Sequence, residues 1–141
     1  MKRLIIAVLC ALGLVSALDA QEKKGVMTLS SKEFKTKIYD ISAKNPEYLG
    51  SKPAIVDFYA SWCGPCRAIS PVLEELAKEY GDKIVIYKVD VDASRDIAQA
   101  FGIRSIPAVL FIPMKGEAQM TVGGRSKEDF KKQIDTILLG K

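Results

Sequence analysis

Two cysteines, Cys63 and Cys66, stand two residues apart in the stretch FYASWCGPCRAIS at residues 58–70. A free cysteine is ordinarily a small buried hydrophobe, so a close pair asks for a chemical reason. Three chemistries use a C-x-x-C pair: half of a zinc site, a structural staple, or a reversible dithiol. A structural zinc site takes four Cys or His ligands, and this chain has three Cys and no His. The third cysteine, Cys10, lies in an apolar run far upstream and is treated as filler, so no metal is expected. The lack of His also removes Ser/His/Asp and Cys/His hydrolysis. A permanent staple gains little, because disulfide stabilisation falls as the closed loop shortens and this loop is very short. The working dithiol is favoured.

The flanking pattern indicates what holds the pair. AIVDFYA, residues 54–60, is a near-continuous apolar run of strand length, as for a strand covered on both faces. From about Pro65 to Tyr80, residues Ile69, Val72, Leu73, Leu76 and Tyr80 fall on one helical stripe that ends at Gly81. Pro71 is expected to kink this helix, since the apolar period continues beyond it. Cys63 therefore sits where a strand passes into a helix, near the amide-rich helix start that stabilises a thiolate. There a C-x-x-C thiol is drawn from ~8.5 into the range ~3.5 to 7.5. Cys66, one turn on, is expected to face the same way but to be more enclosed. Gly64 allows a tight turn, and Pro65 supplies a fixed φ in a first turn where its missing N–H costs nothing.

The remaining elements follow from periodicity and breakers. VMTL (26–29) has strand character, and Ser30 with Glu33 has capping-box spacing before a helix marked by Phe34, Ile38 and Ile41. Asn45–Pro46 breaks it. KIVIYKVDV (83–91) is a strand and SRDIAQAF (94–101) a short helix closed by Gly102. AVLFIP (108–113), a turn at Lys115–Gly116 and QMTV (119–122) form a hairpin, after which Ser126 and Asp129 start a last helix along Phe130, Ile134, Ile137 and Leu138. The order βα, βα, βα, ββα predicts a three-layer α/β domain, a central mixed sheet with helices on both faces.

Two further positions stand out. Asp57 is a lone acid in a strand expected to be buried, where its pKa would rise by up to ~3 to 5 pH units. Either it pairs with a cation, with Lys88 on the next strand as candidate and pKa modulator, or it accepts a proton near neutral pH, with Cys66 as the donor. At Ile106–Pro107, residue statistics alone favour a trans bond, since only ~5 to 6% of X-Pro bonds in folded proteins are cis.

The N-terminus has its own logic. Lys2 and Arg3 precede an apolar run from Leu4 to Leu18, with small residues at Ala17 and Ala20, the layout of a secretory signal peptide cleaved after one of those alanines. Residues 1–20 are thus expected to be removed, leaving residues 21–141 as one domain. Losing Lys2, Arg3 and Asp19 takes the chain's 21 basic and 17 acidic residues to 19 and 16, a net charge of +3. No long run of like charge marks a nucleic-acid or headgroup surface.

The stretch VDFYASWCGPCRAISP and, later, RSIPAVLFI followed by VGGRSKEDF resemble the two signature regions of the thioredoxin family. The resemblance covers nearly everything after about residue 26. It implies a thioredoxin fold, with Cys63 as nucleophile, Cys66 as resolving thiol and Asp57 as the buried acid serving Cys66. It also implies a cis-proline at Pro107 facing the disulfide and an Ile106 backbone that pairs with an extended substrate segment. Trp62 and Gly123 match positions lining the same contact surface, although an exposed Trp equally suits packing. Tyr59, Ser105 and Ala108 depart from the family pattern, which bears on substrate preference.

The expectation is an exported, periplasmic thiol–disulfide oxidoreductase that reduces or isomerises disulfides in extracytoplasmic proteins. It works as a monomer without a cofactor and draws electrons from a membrane donor. Two alternatives stand beside it: an oxidant that donates its disulfide, and a non-catalytic binding module in which the cysteines are dispensable.

Overall fold

In a computed structural model the description covers residues 25–141, and the expected signal peptide lies outside the described residues. Ala54–Tyr59 forms the central strand β2, and its burial is nearly complete along its length, as expected of a strand with helices on both sides. The other strands are β1 (Met27–Thr28), β3 (Val85–Asp90), β4 (Ala108–Ile112) and β5 (Gln119–Val122). They form one sheet in the order β1-β3-β2-β4-β5. β1, β3 and β2 are parallel; β4 runs antiparallel to β2, and β5 antiparallel to β4. The helices are α1 (Ser31–Lys37), α2 (Gly64–Tyr80), α3 (Arg95–Ala100) and α4 (Lys127–Gln133), the last continued by a π-helical stretch, Ile134–Leu138.

Side chains alternate across each strand, so the sheet separates two cores. Ile55, Ile86, Val109 and Phe111 pack with Ile69, Leu73 and Leu76 of α2 and with Phe130, Ile134 and Leu138 from the C-terminal helix. On the other face Val56, Phe58, Val89 and Leu110 pack with Phe34, Ile38 and Ile97. The result is a three-layer α/β fold. The aromatic rings of Phe34, Phe58 and Phe101 knit α1, β2 and the end of α3, with centroids 5.4 to 6.5 Å apart.

Local chemistry sets the helix ends. The Glu33 amide donates to Ser30 Oγ while the Glu33 carboxylate accepts from the Ser30 amide, a complete capping box. The apolar period extends to Ile41, but α1 stops at Lys37. Beyond it Asp40 Oδ1 accepts from the backbone N–H and the hydroxyl of Ser42 at 3.0 and 2.5 Å, a side-chain turn that competes with helix. α2 runs through Pro71 without a break. Between the C-terminal helix and α2, Lys127 bridges Glu75 and Glu79, and Lys131 reaches Glu79.

Candidate active site

β2 delivers the chain through Ala60 to Cys63, which is the N-cap of α2 with extended φ and ψ of −83° and 111°. Gly64 and Pro65 are the first two helical residues. The backbone N–H of Cys66 donates to Cys63 Sγ at 3.2 Å, so the sulfur occupies the capping position that a serine or aspartate oxygen commonly takes. That places Cys63 Sγ on the positive end of a 17-residue helix. The two sulfurs are joined as a disulfide, with Cα atoms 5.3 Å apart.

Cys66 is expected to be the more enclosed of the two; in the disulfide form both are buried, Cys63 at 4% and Cys66 at 3% exposed. Ala60 packs with the pair, and Tyr59, Val91 and Ile106 pack against this cluster. Position relative to the helix end, and not burial, distinguishes the sulfurs in the oxidised state.

Ile106–Pro107 is cis, where residue statistics favour trans. The Ile106 carbonyl oxygen lies 3.8 Å from Cys63 Sγ. The Gly123 N–H donates to the Pro107 carbonyl at 2.8 Å, which binds the end of β5 to this turn. Gly123 has φ +94°, a conformation that side chains strain to adopt, so glycine is required there by backbone geometry. Trp62 is 68% exposed, and its indole N–H donates to Asp92 Oδ2 at 2.8 Å. Trp62, Gly64, Pro65, Ile106, Pro107 and Gly123 therefore gather at one end of the sheet around the disulfide.

Asp57 is buried on β2, on the face shared with Ile55 that packs against α2. Its Oδ1 has no hydrogen-bond partner among the described residues. Burial raises its pKa from 3.8 to about 7, against a weaker opposing pull from Lys88. Lys88 lies directly across from Asp57 in the β2–β3 register, yet no ion pair joins them. Instead the Lys88 ammonium stands 5.2 Å from the centre of the Tyr59 ring, a cation–π arrangement that keeps the charge near Asp57 without neutralising it. The pairing considered from sequence is thus replaced by a field effect.

Sequence reasoning missed Asp92 as the partner of Trp62. A signal was present, because acids just past the carboxyl end of a parallel strand face the region where open α/β sheets place their sites. A cleft of about 470 Å³ lies elsewhere, lined by Tyr48, Leu49, Lys52, Ile84 and Val85 near the opposite sheet end. Chemistry places the site at the disulfide. The described residues contain no cluster of three or more His, Cys, Asp or Glu fit to hold a metal ion, and no helix long and apolar enough to cross a membrane.

A redox cysteine pair at the start of a long helix, over a mixed sheet and beside a cis-proline, defines the thioredoxin-fold thiol–disulfide oxidoreductases. Comparison with known proteins narrows the class. The family model for thioredoxin matches residues 25–136, and the chain belongs to the thioredoxin family. It is 41% identical to the thioredoxin of Borreliella burgdorferi over 109 residues, which are 77% of this chain and 93% of that protein. It is also 41% identical to the thioredoxin of Chlorobaculum thiosulfatiphilum, over 75% of this chain and 90% of the relative. The crystal structure of chloroplastic thioredoxin z is similar with a TM-score of 0.68 and 26% identity, over 80% of this chain and 94% of that one. The chain is a thiol–disulfide oxidoreductase.

Proposed function

We propose that this oxidoreductase is exported and that its Cys63–Cys66 dithiol reduces or isomerises disulfides in extracytoplasmic proteins. The observation that carries the assignment of roles is the capping geometry, with Cys63 Sγ taking the Cys66 N–H at the start of α2. In the reduced protein the same geometry favours a thiolate at Cys63.

The Cys63 thiolate attacks one sulfur of the substrate disulfide. A Cys63–substrate disulfide forms, the substrate S–S bond breaks, and the first substrate sulfur leaves as a thiolate that takes a proton from water. Cys66 then gives its proton to the Asp57 carboxylate, attacks Cys63 Sγ, and releases the second substrate thiolate. Two electrons have passed to the substrate, and the protein holds the Cys63–Cys66 disulfide. Asp57 suits this task because a carboxyl with pKa about 7 both accepts and returns a proton near neutrality. The Ile106 backbone, Trp62, Gly64, Pro65 and Gly123 form the surface on which the substrate segment docks.

Export rests on residues 1–20, whose basic start, apolar run and small residues suit a cleavable signal. A chain sent across a membrane needs electrons delivered there, so a membrane-borne dithiol carrier is the proposed donor and the working form is a monomer.

Mass spectrometry of Cys63→Ser and Cys66→Ser mixed with an oxidised protein substrate tests the roles. The first variant should form no adduct, and the second should accumulate a mixed disulfide at Cys63. Adducts of both, or exchange retained by either, refute the assignment. Titration against glutathione separates reductant from oxidant, a potential below ~−250 mV supporting reduction. Cell fractionation with N-terminal sequencing tests export, the expected first residue being Leu18 or Gln21.

A further inference from the structure

All four arginines among the described residues, Arg67, Arg95, Arg104 and Arg125, stand at the sheet end that carries the disulfide. Arg67 follows Cys66 directly, and Arg95 opens α3 beyond the carboxyl end of β3. Arg104 precedes β4 and Arg125 follows β5; the antiparallel pairings of these strands bring both to the same end. Lysines, by contrast, are dispersed: Lys52, Lys83 and Lys115 lie at the far end, while Lys35, Lys127 and Lys131 are held in ion pairs.

Stability does not account for this placement. The four arginines are exposed, and their guanidinium groups make no ion pair or hydrogen bond among the described residues. Arg67 lies at the start of α2, where the helix dipole disfavours a cation and where no acid is present, although α1 and α4 both carry acids in their first turns. Most carboxylates at this end are already engaged, the exposed Glu128 at the start of α4 being the exception. Asp92 accepts from Trp62, Asp90 from the Asp92 and Ala93 amides, Asp96 from Lys35 and Ser31, and Asp129 from Ser126. Apart from Glu128, what remains available at this end of the sheet is a set of guanidinium forks, the group best matched to a carboxylate in two parallel hydrogen bonds.

We infer that Arg104 and Arg125, with Arg67, select protein disulfides flanked by acidic side chains. The inference rests on the proposed function and narrows its substrates. Arg104 is two residues from Ile106, whose carbonyl lies against Cys63 Sγ, and Arg125 is two residues from Gly123, which is hydrogen-bonded to Pro107. A strand docked along Ile106 runs within two residues of Arg104 in the chain and over the turn that the Gly123–Pro107 hydrogen bond joins to Arg125, so an acid near the substrate cysteine comes within reach of these forks.

The test uses three peptides, each closed by one disulfide and differing only in Glu, Gln or Lys beside one cysteine. The mature protein is assayed in both directions, reduced protein with disulfide peptide and oxidised protein with dithiol peptide, since recognition is independent of electron flow. The Glu peptide should exceed the Lys peptide in kcat/KM by about three- to tenfold, because exposed charge pairs are individually weak. The preference should shrink between ~0.01 and ~1 M salt, as the Debye length falls to ~3 Å. Intrinsic differences in peptide reactivity cancel in the comparison with the Arg104→Glu/Arg125→Glu double variant, which should invert the order. Lys115→Glu, at the far end, should preserve it. Identical peptide ratios in the wild type and the double variant overturn the inference while leaving the proposed function standing. Failure to exchange with any peptide, Gln included, overturns both.

Discussion

Asp57→Asn should stabilise the oxidised protein in a way that depends steeply on pH. A carboxyl whose folded pKa is raised is held preferentially protonated by the native state. Between the unfolded value near 3.8 and the folded value of about 7, the native state binds a proton that the unfolded chain has lost. Stability contributed by this group is therefore full below about pH 4 and falls as pH rises through the window. The span is about three pH units at ~1.36 kcal/mol each, so the ionised carboxylate costs about 4 kcal/mol above pH 8. Asp57 as a residue is 3% exposed and its Oδ1 lacks a partner among the described residues, so solvent screening removes little of this. Asparagine has the same shape but no charge. In urea denaturation without reductant, the variant and the wild type should nearly coincide at pH 4. At pH 8 the variant should unfold later by about 2 M, for a slope of ~2 kcal/mol per M. Other acids titrate in the same range but cancel in the difference. A gap that is constant from pH 4 to pH 8, or that narrows as pH rises, refutes the burial argument.

The same substitution should slow resolution of the mixed disulfide at pH 7 by about 10²-fold or more while leaving the first attack nearly unchanged, as stopped-flow measurement of the two half-reactions would show. Trp62→Ala should change stability by less than ~0.5 kcal/mol, because the ring is largely exposed, yet lower kcat/KM for a protein disulfide by about tenfold. Thermal unfolding set beside substrate kinetics separates the two effects. Phe34→Ala empties a fully buried position between Phe58 and Phe101 and should cost about 3–5 kcal/mol in urea denaturation, with the disulfide potential unaltered.

Much of this molecule is written in short-range pattern. The capping box at Ser30 and Glu33, the apolar stripe of α2 and the glycine that ends it involve residues within a few positions of one another, so the chain specifies them locally. The continuous apolar run of β2 announced a strand covered on both faces, and with it the anomaly of Asp57. The cysteine pair was legible for the same reason: spacing and the absence of histidine left few chemistries open, and the strand-to-helix junction placed Cys63 at a helix start.

What required the tertiary structure depends on register and approach. Trp62 and Asp92 are brought together because β3 lies beside β2 in parallel; the pattern marks the sheet end to which Asp92 belongs, but the pairing of these two side chains is set by the register. Lys88 falls opposite Asp57 by that register, but whether its ammonium meets the carboxylate or the Tyr59 ring is decided by packing at β2. The burial of both Cys63 and Cys66 is completed by Ile106 and Val91, which arrive from distant segments. The isomer of Ile106–Pro107 belongs to the same class. Local energetics separate cis from trans at proline by only ~0.5–1 kcal/mol, so the contacts around the bond, including the Gly123 hydrogen bond to Pro107, decide between them. Sequence determines elements where the interactions lie within a turn or two of chain; it leaves to the fold those features whose energy is shared among residues that meet only after the sheet has assembled.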